Sequence, residues 1–245
     1  MGRTDKSSAR NVFICQQCGR ESLKWLGHCP DCGEWNTFTE TTVSTTPSRP
    51  GRTASSPPAE LVHVSLESAP RHTLNGMAEL GRVLGGGLVA GSMVLLSGEP
   101  GIGKSTLLLQ AAAAVCSNSG KVVYASGEET QQQIKLRAKR LGITGEGLFL
   151  LPETCLENIL DQIAPIAPEL VILDSIQTIY TQGVDTSPGS ISQVRESTIR
   201  LMQWAKSQNI PVLIAGHVTK DGTIAGPRVL EHIVDVVLYL EGESF

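Results

Sequence analysis

A short pattern at residues 98–105, Gly-Glu-Pro-Gly-Ile-Gly-Lys-Ser, constrains the fold of this chain more than any other feature. An apolar run at residues 93–96 precedes it, and a helix-like run at residues 106–115 follows it. Glycines let backbone N–H groups approach phosphate oxygens, and the N-terminus of the following helix adds partial positive charge. A glycine-rich turn that arose by chance would lack this strand–loop–helix context. We therefore predict a phosphate-binding loop formed by Gly98, Glu99, Pro100, Gly101, Ile102, Gly103, Lys104, Ser105 and Thr106.

Two side chains of this loop have the chemistry that a bound nucleotide requires. Lys104 is expected to reach the β- and γ-phosphates, and Ser105 is expected to offer its hydroxyl to Mg²⁺. A second motif supports this assignment, because the apolar residues 170–173 end in Asp174. An acidic strand end next to such a loop predicts that the carboxylate holds Mg²⁺, through water, beside Ser105. ATP and Mg²⁺ are therefore the expected ligands.

The composition is typical of a globular protein with one core of ordinary size and a small module. The 245 residues are 40% hydrophobic and 18% charged, and no apolar run is long enough to span a bilayer. Residues 1–7 lack the apolar core of a signal peptide. We therefore expect a cytoplasmic location and no membrane partner. The formal net charge of −4 excludes nucleic-acid binding by bulk charge and leaves it to local patches.

The chain divides into three segments. Residues 11–38 hold four of the six cysteines, and residues 39–60 are mainly Thr, Ser and Pro with few apolar residues, which predicts a flexible linker. From residue 61 to residue 245, short apolar runs alternate with helical patterns. Strands are expected at 92–97, 121–126, 147–151, 169–174, 210–216 and 234–240, and helices at 104–118, 130–141, 155–164 and 189–208. Such an alternation predicts an α/β fold with a mostly parallel sheet covered on both faces.

The cysteines of the first segment form two C-x₂-C pairs, each followed by a glycine. The expected metal ligands are Cys15, Cys18, Cys29 and Cys32. Four thiolates complete a tetrahedral Zn²⁺ shell, so the zinc is expected to be structural and to supply much of the folding free energy of this small module. Disulfides or a redox pair are the alternatives, and a cytosolic location disfavours them.

Several residues near the cysteines, and two further cysteines, are expected to be structural. His28 is interpreted as a surface residue, because four cysteines already satisfy the metal. Trp25 and Trp35 are expected to pack around the small core of the module, with base stacking as the alternative. Cys116 and Cys155 are isolated in the sequence and are interpreted as ordinary buried thiols.

A hydrolase also needs a group that positions or deprotonates the attacking water. Glu128 and Glu129 follow the expected strand at 121–126, at the sheet edge where ligands bind in open α/β folds. Glu128 is the preferred base and Glu129 the second choice; alternatively, both are acids favoured by the dipole of the next helix. His217 ends another expected strand, where it is either a γ-phosphate sensor or simply a polar residue at a strand end.

Three segments are candidates for contact with nucleic acid. The basic run at residues 135–140 lies on an expected helix and is more typical of a solvated face. The long polar loops at 176–190 and 218–229 each follow the carboxyl end of a core strand, and loops of this length are often functional. Lys220 and Arg228 in the second loop are suited to phosphate contacts, with an oligomer contact as the alternative.

Taken together, these motifs resemble a known family. The Leu-Gly-Gly-Gly-Leu at residues 84–88, the phosphate-binding loop, the strand before Glu128 and the Leu-Asp-Ser at 173–175 resemble the RecA/DnaB-type ATPase core. The stretches at 24–36 and 95–110 resemble the RadA (Sms) family of bacterial DNA repair proteins. The resemblance covers almost the whole chain apart from the linker, and the combination of motifs is far more specific than any one of them.

The resemblance implies an ATP-dependent, DNA-stimulated motor that promotes branch migration of recombination intermediates and forms a homo-oligomeric ring. It implies single-stranded and branched DNA as partners, with a recombinase and a single-strand-binding protein as further ones. It makes Lys104, Ser105 and Asp174 the nucleotide and magnesium residues and the four cysteines the zinc ligands. With Glu128 as the preferred base, the expected catalytic residues are Lys104, Asp174 and Glu128. The family continues with a Lys-Asn-Arg-Phe-Gly motif and a Lon-protease-like domain. This chain has neither, so we expect it to bind ATP, hydrolyse it poorly and assemble weakly.

Two other functional classes share parts of this pattern. A nucleotide-switched signalling ATPase of the KaiC type has the same core, although the cysteine module and the absence of a duplicated core argue against it. A zinc-mediated binding adaptor would use its ATP site only to gate contact with a partner. DNA-stimulated hydrolysis distinguishes the motor from both alternatives.

Overall fold

The computed structural model describes residues 9–17, 19–44, 60–63, 71–217 and 227–242. Within these ranges the strands are β1 Ala9–Cys15, β2 Glu21–Ser22, β3 Phe38–Ser44, β4 Arg71–His72, β5 Leu88–Val89, β6 Met93–Gly98, β7 Val122–Ser126, β8 Leu148–Leu151, β9 Leu170–Asp174, β10 Val212–His217 and β11 Val236–Leu240. The helices are α1 Ala78–Val83, α2 Lys104–Cys116, α3 Gln131–Arg140, α4 Leu156–Ile163, α5 Ile191–Gln208 and α6 Pro227–Leu230, with short 3₁₀ turns at Leu61–His63 and Ile176–Thr178.

The N-terminal strands form a small antiparallel sheet in the order β2-β1-β3. Strand β3 pairs with β1 as far as Ser44, so it extends through residues 39–44, the first part of the segment 39–60 that is expected to be a linker. The expected boundary is corrected accordingly. Its Thr-rich sequence fits a linker by composition, but Thr and Val also favour strands when a neighbouring strand supplies backbone partners. Residues 45–59 of the expected linker lie outside the described ranges.

The core of the chain is a six-stranded sheet in the order β11-β6-β10-β9-β7-β8, and every described pairing in it is parallel. The expected α/β fold with a mostly parallel sheet is confirmed, and the six strands and four helices named from the sequence lie within two residues of their expected bounds. Strands β6, β7 and β9 are buried at every position, which explains why their sequences are nearly continuously apolar instead of alternating.

Helices cover both faces of this sheet. One apolar cluster joins the sheet to α2 and α3, and a second joins the opposite face to α4 and α5. In α5 the buried residues Ile191, Val194, Leu201 and Ala205 recur at helical spacing and form the stripe that faces the sheet. In the part of the chain that the structure describes, no helix has the length and apolar character needed to cross a membrane.

The parallel sheet brings four strand ends together at one edge. Strands β6, β10, β9 and β7 are neighbours in that order, and their carboxyl ends lead to the phosphate-binding loop, His217, Asp174 and Glu128 respectively. Ligands of open α/β sheets bind in the crevice outside such carboxyl ends. This edge is therefore the place where the chemistry-bearing residues of the sequence converge.

Candidate nucleotide site

The loop between β6 and α2 has the backbone that a phosphate cradle requires. Gly101 and Gly103 have φ angles of 81° and 110°, in the left-handed region that glycine adopts without strain. At Gly98, a Cβ atom would lie 2.6 Å from the carbonyl oxygen of Leu240, so only glycine fits beside β11. Gly103 is the N-cap of α2, so the positive end of that helix faces the loop.

Lys104 is held inside this loop. Only 4% of the residue is exposed, and its Nζ donates hydrogen bonds of 2.9 Å to the carbonyl oxygens of Gly98 and Glu99. Burial lowers the pKa of Lys104, while the nearby charges of Asp174 and Glu128 raise it. The ammonium group thus lies within the loop, where it can neutralise the charge of a bound phosphate.

Asp174 ends β9 and is buried, with 2% of the residue exposed. The hydroxyl of Tyr124 donates to its Oδ2 at 2.6 Å, whereas its Oδ1 is buried and has no hydrogen-bond partner among the described residues. Burial, followed by the charge of Asp174, raises the pKa of Tyr124, so the phenol keeps its proton. An unpartnered buried carboxylate oxygen beside a phosphate loop fits the oxygen ligands that Mg²⁺ and its waters prefer.

Glu128 lies at the same edge and is held by two neighbours. Its Oε1 accepts a hydrogen bond from the Ser175 hydroxyl and lies 3.2 Å from Nε2 of His217. The hydrogen bond to His217 lowers the pKa of Glu128 most, burial opposes it, and the bond to Ser175 lowers it further. The side chain remains 39% exposed, so it is ionised and accessible from the crevice.

Glu129 points into a different environment from its neighbour. Its backbone N–H donates to Ser126 Oγ at 3.1 Å, and its carboxylate forms an ion pair with Arg137 of α3. The two side chains are only 24% and 14% exposed. The pair ties the last turn of α3 to the segment that leaves β7, which is a structural task. Of the two acids, Glu128 therefore has the geometry expected of a base.

Sequence reasoning missed three residues that the fold brings to this site: Tyr124, Ser175 and Arg137. Tyr124 carries a signal, because it places a polar tip in an otherwise apolar strand and such a hydroxyl needs a partner. Ser175 directly follows Asp174, yet nothing in the sequence indicates that it reaches Glu128. Arg137 was noted only as part of a basic run.

The loop at 176–190 is fixed by a buried glutamine. Gln193 Oε1 accepts from the backbone N–H of Thr181 at 2.9 Å, and its Nε2 donates to the carbonyls of Val184 and Thr186 at 2.8 and 3.0 Å. Glu157 adds a second anchor, because it accepts from the Thr181 hydroxyl and from Arg200 Nη1, the latter at 2.9 Å. These contacts fix the course of the loop as it leads away from the carboxyl edge of the sheet.

The second loop, at 218–229, lies largely outside the described residues, including Lys220, and the side chain of Arg228 is not described. In the basic run, Lys135, Lys139 and Arg140 are exposed, whereas Arg137 is engaged by Glu129. Three members of the run are therefore exposed to solvent, whereas Arg137 serves the fold.

The cysteine module contains the geometry of a metal site. The Sγ atoms of Cys15, Cys29 and Cys32 lie within 4.8 Å of one another, and those of Cys15 and Cys32 are 3.7 Å apart. A tetrahedron of thiolates with Zn–S bonds of about 2.3 Å has edges of about 3.8 Å, so the spacing fits zinc. Cys18, the fourth expected ligand, lies outside the described residues.

The two cysteine pairs are followed by matching turns. The N–H groups of Gly19 and Gly33 each donate to the carbonyl oxygen of the cysteine four residues earlier, both at 2.9 Å. Both glycines have positive φ angles, 75° and 77°, in the left-handed region that glycine adopts without strain. The repetition of one turn around the thiolates is what a zinc knuckle needs.

The expectation that both tryptophans pack in the small core is wrong. Trp25 is 54% and Trp35 69% exposed, and the buried cluster of the module consists of Cys15, Cys29 and Phe38. The buried cluster is small and is occupied by two thiols and the Phe38 ring, and both indoles lie outside it. His28 is exposed as expected, and its ring lies 4.9 Å from that of Trp35 between centroids.

The two isolated cysteines differ. Cys155 is buried, as expected, with its thiol 3.4 Å from a carboxylate oxygen of Glu157. Cys116, at the end of α2, is only partly buried, so the interpretation as a fully buried thiol is corrected. Burial still raises its pKa, which makes it a weak nucleophile.

The loop, the acidic strand end and the parallel sheet define the class of this protein, a P-loop domain with a RecA-like α/β core, preceded by a cysteine module. The chain belongs to the family that is described as the AAA domain, whose model matches residues 78–223. A second model, described as a rubredoxin metal binding domain, matches residues 13–40.

Individual relatives extend this result. The chain is 50% identical to the DNA repair protein RadA of Listeria monocytogenes over 97% of this chain and 52% of the relative. It is 49% identical to the DNA repair protein RadA of Bacillus subtilis, over 97% of this chain and 53% of the relative, and also 49% identical to that of Aquifex aeolicus, over 96% and 52%. The expected resemblance to the RadA family is confirmed. The chain spans about half the length of the curated relatives it matches.

Proposed function

We propose that this chain binds ATP with Mg²⁺ at the β6–α2 loop and hydrolyses it, as the ATPase part of a DNA repair protein. One observation carries the proposal: Lys104, Asp174 and Glu128 converge at one sheet edge from three different strands. The charges of both acids act on Lys104. In the sequence, Glu128 lies 24 residues after Lys104, and Asp174 lies 46 residues after Glu128. Such convergence is what phosphoryl transfer needs, because its catalysis is mainly positioning and electrostatic stabilisation.

Each residue has a distinct task in this proposal. The loop N–H groups and Lys104 bind the phosphates, and Ser105 with Asp174 holds the Mg²⁺ and its waters. The metal, when bound, neutralises charge that develops on the phosphate oxygens. Glu128 accepts a proton from the attacking water, with Ser175 and His217 fixing its carboxylate. Lys104, Asp174 and Glu128 are thus the catalytic set.

We further propose that hydrolysis is coupled to DNA, in branch migration of recombination intermediates. The name of the relatives, DNA repair protein, supports the process. The anchored loop at 176–190 supports a DNA contact near the nucleotide. The residue before it, Ser175, contacts Glu128, so the loop connects the nucleotide site to a polar surface. Single-stranded and branched DNA are the proposed substrates, a homo-oligomeric ring the proposed assembly, and a recombinase and a single-strand-binding protein the proposed partners. A structural Zn²⁺ on the cysteines completes the proposal.

The test is the rate of ATP hydrolysis by the 245-residue chain with and without single-stranded or branched DNA, beside the Lys104→Ala variant. We expect hydrolysis that is slow in this 245-residue chain, requires Mg²⁺, rises with DNA and is absent in the variant. Turnover that no DNA changes would favour a nucleotide-switched signalling ATPase instead. Equal turnover by the Lys104→Ala variant would refute the site itself.

A further inference from the structure

Tyr124 lies beneath the nucleotide site, in the middle of β7. Strands β7 and β9 are parallel, with Tyr124 opposite Ile172 and Ser126 opposite Asp174. Asp174 lies two residues beyond Ile172, the residue opposite Tyr124. Because side chains alternate along a strand, Tyr124 and Asp174 project from the same face of the sheet, as diagonal neighbours. An aromatic side chain is long enough to reach such a diagonal neighbour. Its hydroxyl accordingly lies 2.6 Å from Asp174 Oδ2.

Within the described part of the chain, Asp174 is the hydrogen-bond partner of this hydroxyl. Tyr124 is fully buried, and its neighbours in the apolar cluster are residues such as Val122, Leu170 and Ile172. A hydroxyl in such a place costs free energy unless it is hydrogen-bonded. Phenylalanine would fill the same volume without that cost, so the hydroxyl is explained by Asp174 and not by packing.

The bond also determines the direction of the other carboxylate oxygen. Since Oδ2 is held by Tyr124, the carboxylate cannot rotate freely about its last bond, and Oδ1 is left buried and without a hydrogen-bond partner among the described residues. A cation ligand is most effective when a second group orients it in this way. The strand end thus offers one oxygen in a fixed direction.

We propose that Tyr124 is a positioning residue, which holds Oδ2 of Asp174 so that Oδ1 faces the magnesium of the bound nucleotide. The inference rests on the proposed function, because it requires a magnesium nucleotide at the β6–α2 loop. It adds a residue from the sheet interior to that site. It also explains why the strand before Glu128 contains a tyrosine.

The test is the Tyr124→Phe variant, compared with wild type in binding a fluorescent ATP analogue. Affinity is measured in excess EDTA and across a Mg²⁺ titration. We expect the Mg²⁺ concentration for half-maximal enhancement of binding to rise about tenfold, with the affinity in EDTA unchanged. Tyr239→Phe is the matched control, because it removes a hydroxyl that donates to Glu231 at 2.6 Å on the surface. This control should titrate like wild type.

The Asp174→Asn variant distinguishes failure of the proposed metal site from failure of the proposed role of Tyr124. If that variant leaves the Mg²⁺ titration unchanged, the proposed metal site is refuted, and the inference with it. If Asp174→Asn raises the Mg²⁺ requirement and folded Tyr124→Phe does not, only the role of Tyr124 is overturned. An equal loss of affinity with and without Mg²⁺ in Tyr124→Phe overturns it as well, since a packing defect would act in that way.

If Tyr124→Phe does not fold, a chain with 4-aminophenylalanine at position 124 can be measured instead. This side chain keeps the shape of tyrosine and carries an amino group as the hydrogen-bond donor. We expect its Mg²⁺ requirement to be close to that of wild type. A requirement raised about tenfold in spite of the restored donor would overturn the proposal.

Discussion

Glu128 and Glu129 are adjacent in sequence, yet the structure gives their carboxylates different partners, so Gln substitutions should have opposite effects. Glu128 faces the crevice between Ser175 and His217, whereas Glu129 is paired with Arg137. We expect Glu128→Gln to lose hydrolysis but keep stability. We expect Glu129→Gln to lose stability but keep hydrolysis. Each variant is the isosteric control of the other.

The magnitudes follow from the surroundings. A positioned base contributes roughly 10²–10⁴-fold to a rate, which is about 3–5 kcal/mol in the barrier for Glu128→Gln. Removal of one partner from a fully buried ion pair costs about 3–5 kcal/mol. Glu129 and Arg137 keep 24% and 14% of their side chains exposed, so water offsets part of this cost. We expect about 2 kcal/mol in the free energy of unfolding, or roughly 4–8 °C in Tm.

The assay pairs a turnover measurement at saturating ATP and Mg²⁺ with urea unfolding followed by circular dichroism. A fluorescent-nucleotide titration verifies that Glu128→Gln still binds. The reasoning is refuted if Glu129→Gln is the inactive variant with unchanged stability. It is also refuted if Glu128→Gln retains more than about a tenth of the wild-type rate, because a base contributes far more than that.

Three further outcomes are expected. Lys104→Ala should lose ATP turnover with an unchanged circular dichroism spectrum, whereas Lys135→Ala on the exposed face of α3 should change neither; loss of fold in Lys104→Ala would contradict this. Metal analysis should give about one zinc per chain, released by thiol reagents, and Cys29→Ser should unfold the module without moving the transition of the core; iron in place of zinc would be contrary evidence. Because His217 holds the pKa of Glu128 below its ordinary value, the acid limb of the pH–rate profile should lie below that of an ordinary carboxyl group and move to higher pH in His217→Ala. An acid limb that does not move would remove His217 from this role.

The sequence was sufficient for the fold because burial on both faces leaves a local signal. Strands β6, β7 and β9 are nearly continuously apolar, and the glycines and Lys104 mark the turn between β6 and α2. The end of β3 was missed, since a Thr-rich segment becomes a strand only when a partner such as β1 lies beside it. Local composition contains no information about that partner.

The candidate site divides in the same way. Lys104, Ser105 and Asp174 were named because each follows a recognisable run, and the cysteine pairs because their spacing is specific. Tyr124 and Ser175 could not be named, since their partners depend on which strands are neighbours in the sheet. The exposure of Trp25 and Trp35 was likewise missed, because only the three-dimensional module shows that Cys15, Cys29 and Phe38 form its buried cluster.

The most direct test of the central claim is a crystal structure of this chain with Mg²⁺ and a slowly hydrolysed ATP analogue. We expect the phosphates in the loop at residues 98–106. Nζ of Lys104 should donate hydrogen bonds to the phosphate oxygens in place of the carbonyls of Gly98 and Glu99. Mg²⁺ should lie between Ser105 and Asp174, and Glu128 should face the γ-phosphate. A nucleotide bound elsewhere, or a triphosphate in the loop without contact to Lys104 and Asp174, would contradict the account.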